Sequence, residues 1–314
     1  MNSSPLVDAH FFSIEQSKIE KNSFKLSKSE SLHFIKSIRG KKNNIIWLLD
    51  GKGIAYKAKV KDLDNDFVSG KIISHTENFG ENKFKINLAI SLLKGKRMEM
   101  IIEKATEFGV VNLFPLVMNH SIRKKINYSR YQKIIISSAK QCGRSFFPIL
   151  HKVSTFSDWI DMYKNEENVV CHMSSNHTTK QIIKSNIKNL NIIIGPEGDF
   201  SQEELILMDS YNFKKLNLGN RRLRAESAAM CAMLKICQIY KITPKSKKKL
   251  EGKKYNANKQ ATPKGGIKLS ERVTWTLFKQ FPLPPERGHS AGKELANGVA
   301  LITFKIALPE EEEE

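Results

Sequence analysis

From about residue 84 to residue 242, short and nearly unbroken aliphatic runs alternate with segments of helical period, and this alternation narrows the fold more than any other feature. Residues 86–93 (INLAISLL) read as a strand with no wet face. Residues 97–108 then set Met98, Ile101, Ile102 and Ala105 on one helical face, and Gly109 ends that helix. A strand over 110–117 and a helix over 129–142 follow. Residues 169–173 and 191–194 are further apolar strands, separated by a polar helix near 178–189. Residues 216–218 form another, and an apolar helix starts at Ala225. Strands that are apolar at successive positions must be covered on both faces, so the pattern predicts an α/β unit around a parallel sheet. Ligands of such folds bind at the carboxyl ends of the strands.

Residues 10–75 follow another rhythm. Runs over 44–49, 54–60 and 67–73 are strand-like, and Asp50-Gly51-Lys52-Gly53 separates the first two as a hairpin turn. Residues 29–38 have a helical period, so a small β-barrel with one helix is expected. After about residue 244 the composition shifts again. Residues 245–268 read as a solvated linker rich in Lys, Asn and Gly. Residues 273–281 and 299–307 each suit one strand, with Pro282, Pro284 and Pro285 between them, and Glu310 to Glu314 close the chain. The expected division is therefore 1–78, 79–243 and 244–314, the last being a basic linker with a largely disordered tail or a small appended module.

The 314 residues include 52 Lys and Arg against 32 Asp and Glu, a formal charge of +20. Of these, 37 basic and 23 acidic residues lie within 1–240, so most of the excess is spread over the first two units. Such an excess suits a polyanion, either nucleic acid or an anionic membrane. No apolar run approaches the ~18–20 residues of a membrane span. Residues 1–25 lack the apolar centre of a secretion signal, so a cytoplasmic protein with no membrane partner is expected. Cys142, Cys171, Cys231 and Cys237 form no C-x-x-C pair and the histidines show no ligand spacing, so no metal is expected.

Two segments place glycines and charges directly after apolar strands. In the first, a strand runs into Gly195-Pro196-Glu197-Gly198, and Ser201 with Glu204 three residues on forms a capping box. Glycines there let a ligand approach the backbone. In the second, Leu218-Gly219-Asn220-Arg221-Arg222-Leu223-Arg224 leads into Ala225-Glu226-Ser227-Ala228, which opens a helix. Three arginines beside a helix N-terminus repel one another and the dipole, which points to an anionic partner. Neither segment is a G-x-x-x-x-G-K-[ST] phosphate loop.

Together these segments resemble the RsmE-type ribosomal RNA methyltransferases of the SPOUT class, whose pattern is roughly GPEGG-F-S…E and LG-x-R-[IV]-L-R-x-E-T-A. Residues 94–110, containing Lys104-Ala105-Thr106-Glu107, resemble that family's K-x-T-E-L-G-V helix. Residues 139–148, with Gln141, Arg144 and Pro148, resemble its A-x-x-Q-x-x-R-x-x-x-P. Residues 32–39, ending at Arg39, and Asp50-Gly51-Lys52-Gly53 resemble motifs of its first domain. The resemblance covers residues 10–240 in order. It implies an N-terminal PUA-like RNA-binding β-barrel, a C-terminal SPOUT α/β domain with a deep trefoil knot, and a homodimer. It also implies methylation of N3 of a uridine in 16S ribosomal RNA, free or in the assembled small subunit, by S-adenosyl-L-methionine.

Carried onto this sequence, the resemblance places the cofactor against Cys171, His172, Met173, Gly195, Pro196, Glu197, Gly198, Leu218, Gly219, Leu223, Ser227 and Ala228. Arg39, Lys104, Gln141, Arg144 and Arg221 are the expected RNA contacts. Arg224 and Glu226 are the expected catalytic pair, Arg224 stabilising a uracil anion or anchoring a phosphate and Glu226 accepting the proton or orienting the arginine. The equally weighted reading is an internal Arg–Glu brace. Three departures stand out: Asp199 for a glycine, Arg222 for an apolar residue, and His120 for an arginine. Asp199 and His120 leave open a non-catalytic RNA-binding assembly factor; another SPOUT enzyme acting on transfer RNA or a ribose hydroxyl is the other alternative, against which the PUA-like unit and the Gln141–Arg144 stretch argue.

Overall fold

The computed structural model describes residues 9–175, 177–182 and 188–242, together with 276–277 and 302–303. The first part comprises β1 (Phe11–Ser13), β2 (Ile19–Glu20), β3 (Ser23–Lys25), α1 (Lys28–Leu32), β4 (Ile45–Leu49), β5 (Ile54–Asp64) and β6 (Phe67–Glu77). They form one sheet in the order β1-β4-β5-β6-β3-β2, antiparallel except where β1 lies beside β4. On β5, burial moves from Ala55 to Ala58 and Val60, a change of phase that a register shift at Lys57/Ala58 produces. Asp50 closes the β4–β5 turn, its Oδ1 accepting from the amides of Lys52 and Ile54 at 2.8 and 2.9 Å. The helix expected over 29–38 is broken: α1 gives way to a π-helical turn, His33–Ser37. That turn drives Phe34 into a cluster with Phe12, Phe24, Ile46, Leu48, Val60 and Val68.

The second part runs β7 (Lys85–Ser91), α2 (Lys96–Glu107), β8 (Val110–Val117), α3 (Tyr128–Cys142), β9 (Ile149–Leu150), β10 (Ser154–Thr155), α4 (Phe156–Tyr163), β11 (Asn168–Cys171), α5 (Thr179–Ile182), β12 (Asn189–Ile194), α6 (Gln202–Ser210), β13 (Lys214–Leu216) and α7 (Ala225–Ile242). The strands pair in parallel in the order β10-β8-β7-β12-β11-β13, with β9 also on β8. The expected α/β class is therefore observed. Ile86, Leu88, Ile90, Ile192 and Ile194 face α2, α3 and α7 in one core cluster. Ala89, Phe114, Leu116, Val170 and Ile193 face Trp159 of α4 and Met208 of α6 in a second. The alternate positions of each strand thus fill two cores. No helix among the described residues is long and apolar enough to cross a membrane. The tail beyond residue 248 is a separate unit, in which β14 (Thr276–Leu277) and β15 (Ile302–Thr303) pair antiparallel. The linker and most of the tail lie outside the described residues.

A row of asparagines crosses the parallel sheet near its amino end. Asn112, Asn87, Asn191 and Asn168 stand directly opposite one another on β8, β7, β12 and β11. Each amide donates to the next: Asn112 Nδ2 to Asn87 Oδ1 (2.9 Å), Asn87 Nδ2 to Asn191 Oδ1 (2.8 Å), Asn191 Nδ2 to Asn168 Oδ1 (2.9 Å). Asn168 Nδ2 then donates to the Tyr163 carbonyl at 2.8 Å. At the head of the row, His151 Nε2 lies 2.8 Å from Asn112 Oδ1. Because Asn112 Nδ2 is already donating, the imidazole must carry its proton on Nε2, and burial pushes the pKa of His151 down, toward the neutral form. Buried amides aligned in one direction reinforce one another, and a slip of any strand would orphan several at once.

The two parts belong to one compact unit, 1–248. Arg144, at 2% exposure, donates through Nε to Glu81 (2.9 Å) and through Nη1 to the carbonyls of Thr106 (3.0 Å) and Val110 (2.7 Å). Glu81 also accepts from the amide of Phe146 at 2.8 Å. Lys140 of α3 donates to Glu30 of α1 at 2.7 Å. The amides of Gly53 and Ser145 bond to the carbonyls of Ser145 and Phe79. The segment after α3 is therefore stitched to the first sheet.

Replacing Asn87 by Leu should lower stability by about 2–4 kcal/mol, read as the urea midpoint, because it orphans Asn112 Nδ2 and two amide oxygens. Arg144→Ala should cost about 3–5 kcal/mol in the same measurement, since it leaves Glu81 buried without its cation.

Candidate functional site

The carboxyl ends of β11, β12 and β13 open into three loops that touch one another. After β12, residues 195–200 make a tight turn closed by the Asp199 amide on the Pro196 carbonyl at 3.1 Å. The predicted capping box at Ser201 and Glu204 is present in full and starts α6 there. Gly195 is required by close packing, since a Cβ on it would lie 2.9 Å from the Phe200 ring. Asp199 adopts φ +67°, the left-handed region that a glycine would enter freely and that aspartate tolerates better than most residues. Its Oδ1 accepts from the Phe200 amide at 2.9 Å, which offsets part of that strain.

The loop after β11 meets this turn at His172, whose Nε2 lies 3.8 Å from Asp199 Oδ1. The same residue ties down the third loop, its amide donating to the Leu216 carbonyl at 3.1 Å. Asn217 Nδ2 donates to the Ser175 carbonyl at 2.6 Å, and Lys235 of α7 reaches the Leu218 carbonyl at 3.2 Å. Cys171, at the end of β11, has its thiol pushed up to about 12 by burial, with Cys231 adding to the shift. It is an inert wall rather than a nucleophile. A fourth segment joins from β8: His120 Nδ1 donates to the Asp199 carbonyl at 2.9 Å. Asn119 bonds both Glu204 and Ser201, at 2.8 Å each. Two of the three departures, His120 and Asp199, thus meet in one contact.

Charge at this junction is organised by a residue that the sequence pattern did not single out. Arg97, in the first turn of α2, donates from Nη1 to Glu197 Oε1 at 3.0 Å. Its Nε faces Glu226 Oε1 at 3.8 Å. Glu226 is 7% exposed at the start of α7, where the helix dipole favours a carboxylate, and its Oε2 is buried without a hydrogen-bond partner among the described residues. Two carboxylates share one guanidinium, and the cluster is one donor short. Its partners lie 100 and 129 positions from Arg97, so only the fold brings them together.

The other expected residues divide clearly. Arg221, Arg222 and Arg224 are exposed, and among the described residues no ion pair holds any of them. The internal Arg224–Glu226 brace is not formed; Glu226 pairs with Arg97 instead. Gly219 and Leu223 are exposed, Leu218, Ser227 and Ala228 half-buried, and Met173 is 51% exposed on the neighbouring loop. Of the expected RNA contacts, Arg39 and Gln141 lie exposed on the surface. Arg144 does not: it is buried at Thr106 and Val110, about three turns of α2 from Arg97, and its work is internal. Lys104 bonds Glu103 and Glu107; burial opposes its charge, but those carboxylates outweigh it and raise its pKa. Among the described residues no group of His, Cys, Asp and Glu could hold a metal ion.

An unpaired buried oxygen on Glu226, and a strand-end loop that opens with Gly195, suit a small ligand with hydrogen-bond donors of its own. Comparison with known proteins agrees. The RNA methyltransferase domain family matches residues 80–237. Ribosomal RNA small subunit methyltransferase E of Rickettsia conorii is 29% identical over 234 residues, 71% of this chain and 90% of that protein. The protein of the same name from Mesomycoplasma hyopneumoniae is 30% identical, covering 65% of this chain and 90% of its own length. Among solved structures, a putative methyltransferase from Legionella pneumophila with bound S-adenosylmethionine has TM-score 0.66 and 28% identity, over 74% of this chain and 98% of that one. Ribosomal RNA small subunit methyltransferase E from Neisseria gonorrhoeae, at 23% identity, shares the fold with TM-score 0.67 over 74% of this chain and 98% of its own. The chain belongs to the RNA methyltransferase family, among the ribosomal RNA small subunit methyltransferase E proteins.

Proposed function

We propose that the chain methylates N3 of a uridine in 16S ribosomal RNA, with S-adenosyl-L-methionine as methyl donor. The observation that carries this reading is the meeting, on Arg97, of Glu197 from the loop after β12 and Glu226 from the start of α7, beside the carboxyl ends of the parallel strands. Residues 171–173, 195–198, 218–219, 223 and 227–228 would hold the cofactor, largely through backbone groups. The bound cofactor supplies a methyl group already activated by its sulfonium. The chain's task is then to orient that group, exclude water and handle one proton.

Uridine N3 is protonated near neutrality, so its electron pair becomes available only as the proton leaves. Glu226 Oε2, buried and without a donor, is suited to take it. Glu226 would hold the N3 proton while the base takes the activated methyl group, and release it to solvent afterwards. Arg224, exposed and unpaired, is placed in sequence to stabilise the uracil anion or to anchor a phosphate. Because N3 lies on the pairing edge, the base must be unpaired or flipped. Arg39, Gln141 and Arg221 offer surface contacts to RNA. In this reading residues 1–78 are a PUA-like RNA-binding barrel and residues 79–243 a SPOUT domain with a trefoil knot. The chain acts as a homodimer in the cytoplasm, on free RNA or the assembled subunit.

Primer extension through ribosomal RNA should show a stop at one uridine that is lost on gene deletion and restored by the wild-type gene. Glu226→Gln should fail to restore it, with methyl transfer in vitro lowered about 10²–10⁴-fold. No change at any uridine on deletion would overturn the reading.

A further inference from the structure

We propose that Arg97 is a positioning residue for the methyl-transfer step, acting through Glu226; the inference rests on the function proposed above. Three observations carry it. Arg97, on α2, bridges the loop after β12 and the first turn of α7, donating to Glu197 and facing Glu226. Glu226 presents only one oxygen, Oε1, to that guanidinium. The other, Oε2, is shielded from water and has no donor.

A buried carboxylate with one oxygen held by a cation and the other empty is incomplete on its own, because a desolvated acceptor without a partner costs free energy. At the mouth of the strand-end loops, an N–H or O–H donor brought by a ligand would complete it. With two carboxylates against one guanidinium, the cluster carries a net negative charge, which favours a donor over another acceptor. An imide N–H fits that vacancy, and uridine N3 carries one. Arg97 draws Oε1 toward itself and ties Glu197, on the β12 loop, to Glu226, in the first turn of α7. The side chain of Arg97 is 41% exposed, so it can adjust as the loops close on a ligand.

A lysine at this position would keep the charge but lose the fork that spans two carboxylates. A glutamine would lose both. The proposal therefore separates the chemical step from binding, which a plain loop brace would not do.

The test uses purified full-length protein, small-subunit ribosomal RNA as substrate and S-adenosyl-L-methionine, with kcat and KM measured separately and thermal melting as a folding control. Arg97→Gln should lower kcat about 10²–10³-fold while KM for RNA and Kd for the cofactor stay within about threefold. Arg97→Lys should recover about tenfold of that loss. Because Arg97 acts through Glu226, the Arg97→Gln/Glu226→Gln double variant should be within about threefold of Glu226→Gln alone. An unchanged kcat in Arg97→Gln overturns the proposal, as does a loss confined to cofactor binding or a double variant slowed by the product of both effects. If Arg97→Gln fails to fold, Arg97→Lys decides: a kcat equal to wild type sinks the idea, and a selective fall of tenfold or more in kcat supports it. A wild-type protein that transfers no methyl group removes the underlying reading and this inference with it, a result distinct from all of these.

Discussion

Parallel strands built from consecutive aliphatic residues have little in their apolar surfaces to fix how far each slides past its neighbour. The asparagine row across β8, β7, β12 and β11 supplies that reference. Each amide is saturated only when its neighbour is directly opposite, so the row has one low-energy register. Its polar groups sit at the amino end of the sheet, and the strands are short: β12 has six residues and β11 four. Fixing the register there therefore fixes where Ile194 and Cys171 end, and with them where the loops begin. The site at the carboxyl ends inherits its geometry from a hydrogen-bonded row at the far end of the same strands.

Arg97 and Arg144 sit near opposite ends of α2 and show how one residue type can serve two purposes. Arg144 is sealed between Glu81 and two carbonyls and holds the loop after α3 against the β6–β7 connection, α2 and β8. Arg97 stays half-exposed between two carboxylates, one of which, Glu226, keeps a buried oxygen without a donor among the described residues. The first arrangement is structural, although Arg144 Nη2 is buried without a partner among the described residues. The second is unsaturated, and that deficit is the physical basis for the proposed chemistry. His120 and Asp199 illustrate a related point. Both differ from the family pattern, yet they bond to each other, and the turn keeps a left-handed residue where a glycine is customary.

The sequence was most readable where apolar periodicity decides the outcome. Every strand expected between 84 and 218 is present, with ends shifted by a few residues: the expected 169–173 ends at Cys171, and 216–218 is Lys214–Leu216. Local capping chemistry was legible too, as Ser201 and Glu204 show. The helix over 29–38 was not, because its period continues through a π-helical turn that only packing of Phe34 explains. Arg144 reads like an RNA contact in a Gln-x-x-Arg pattern, and nothing local announces Glu81, 63 residues away. Arg97 was missed for the same reason, since a charged residue in a first helical turn looks solvated until distant carboxylates are placed beside it. The asparagines looked like interruptions of strands, and only their pairing in register makes them a row.

The most direct measurement of the central claim is mass spectrometry of nucleosides from small ribosomal subunits treated with the purified protein and methyl-labelled S-adenosylmethionine. Label is expected in a single 3-methyluridine and in no other nucleoside. Absence of label, or label on a ribose or on a different base, would contradict it.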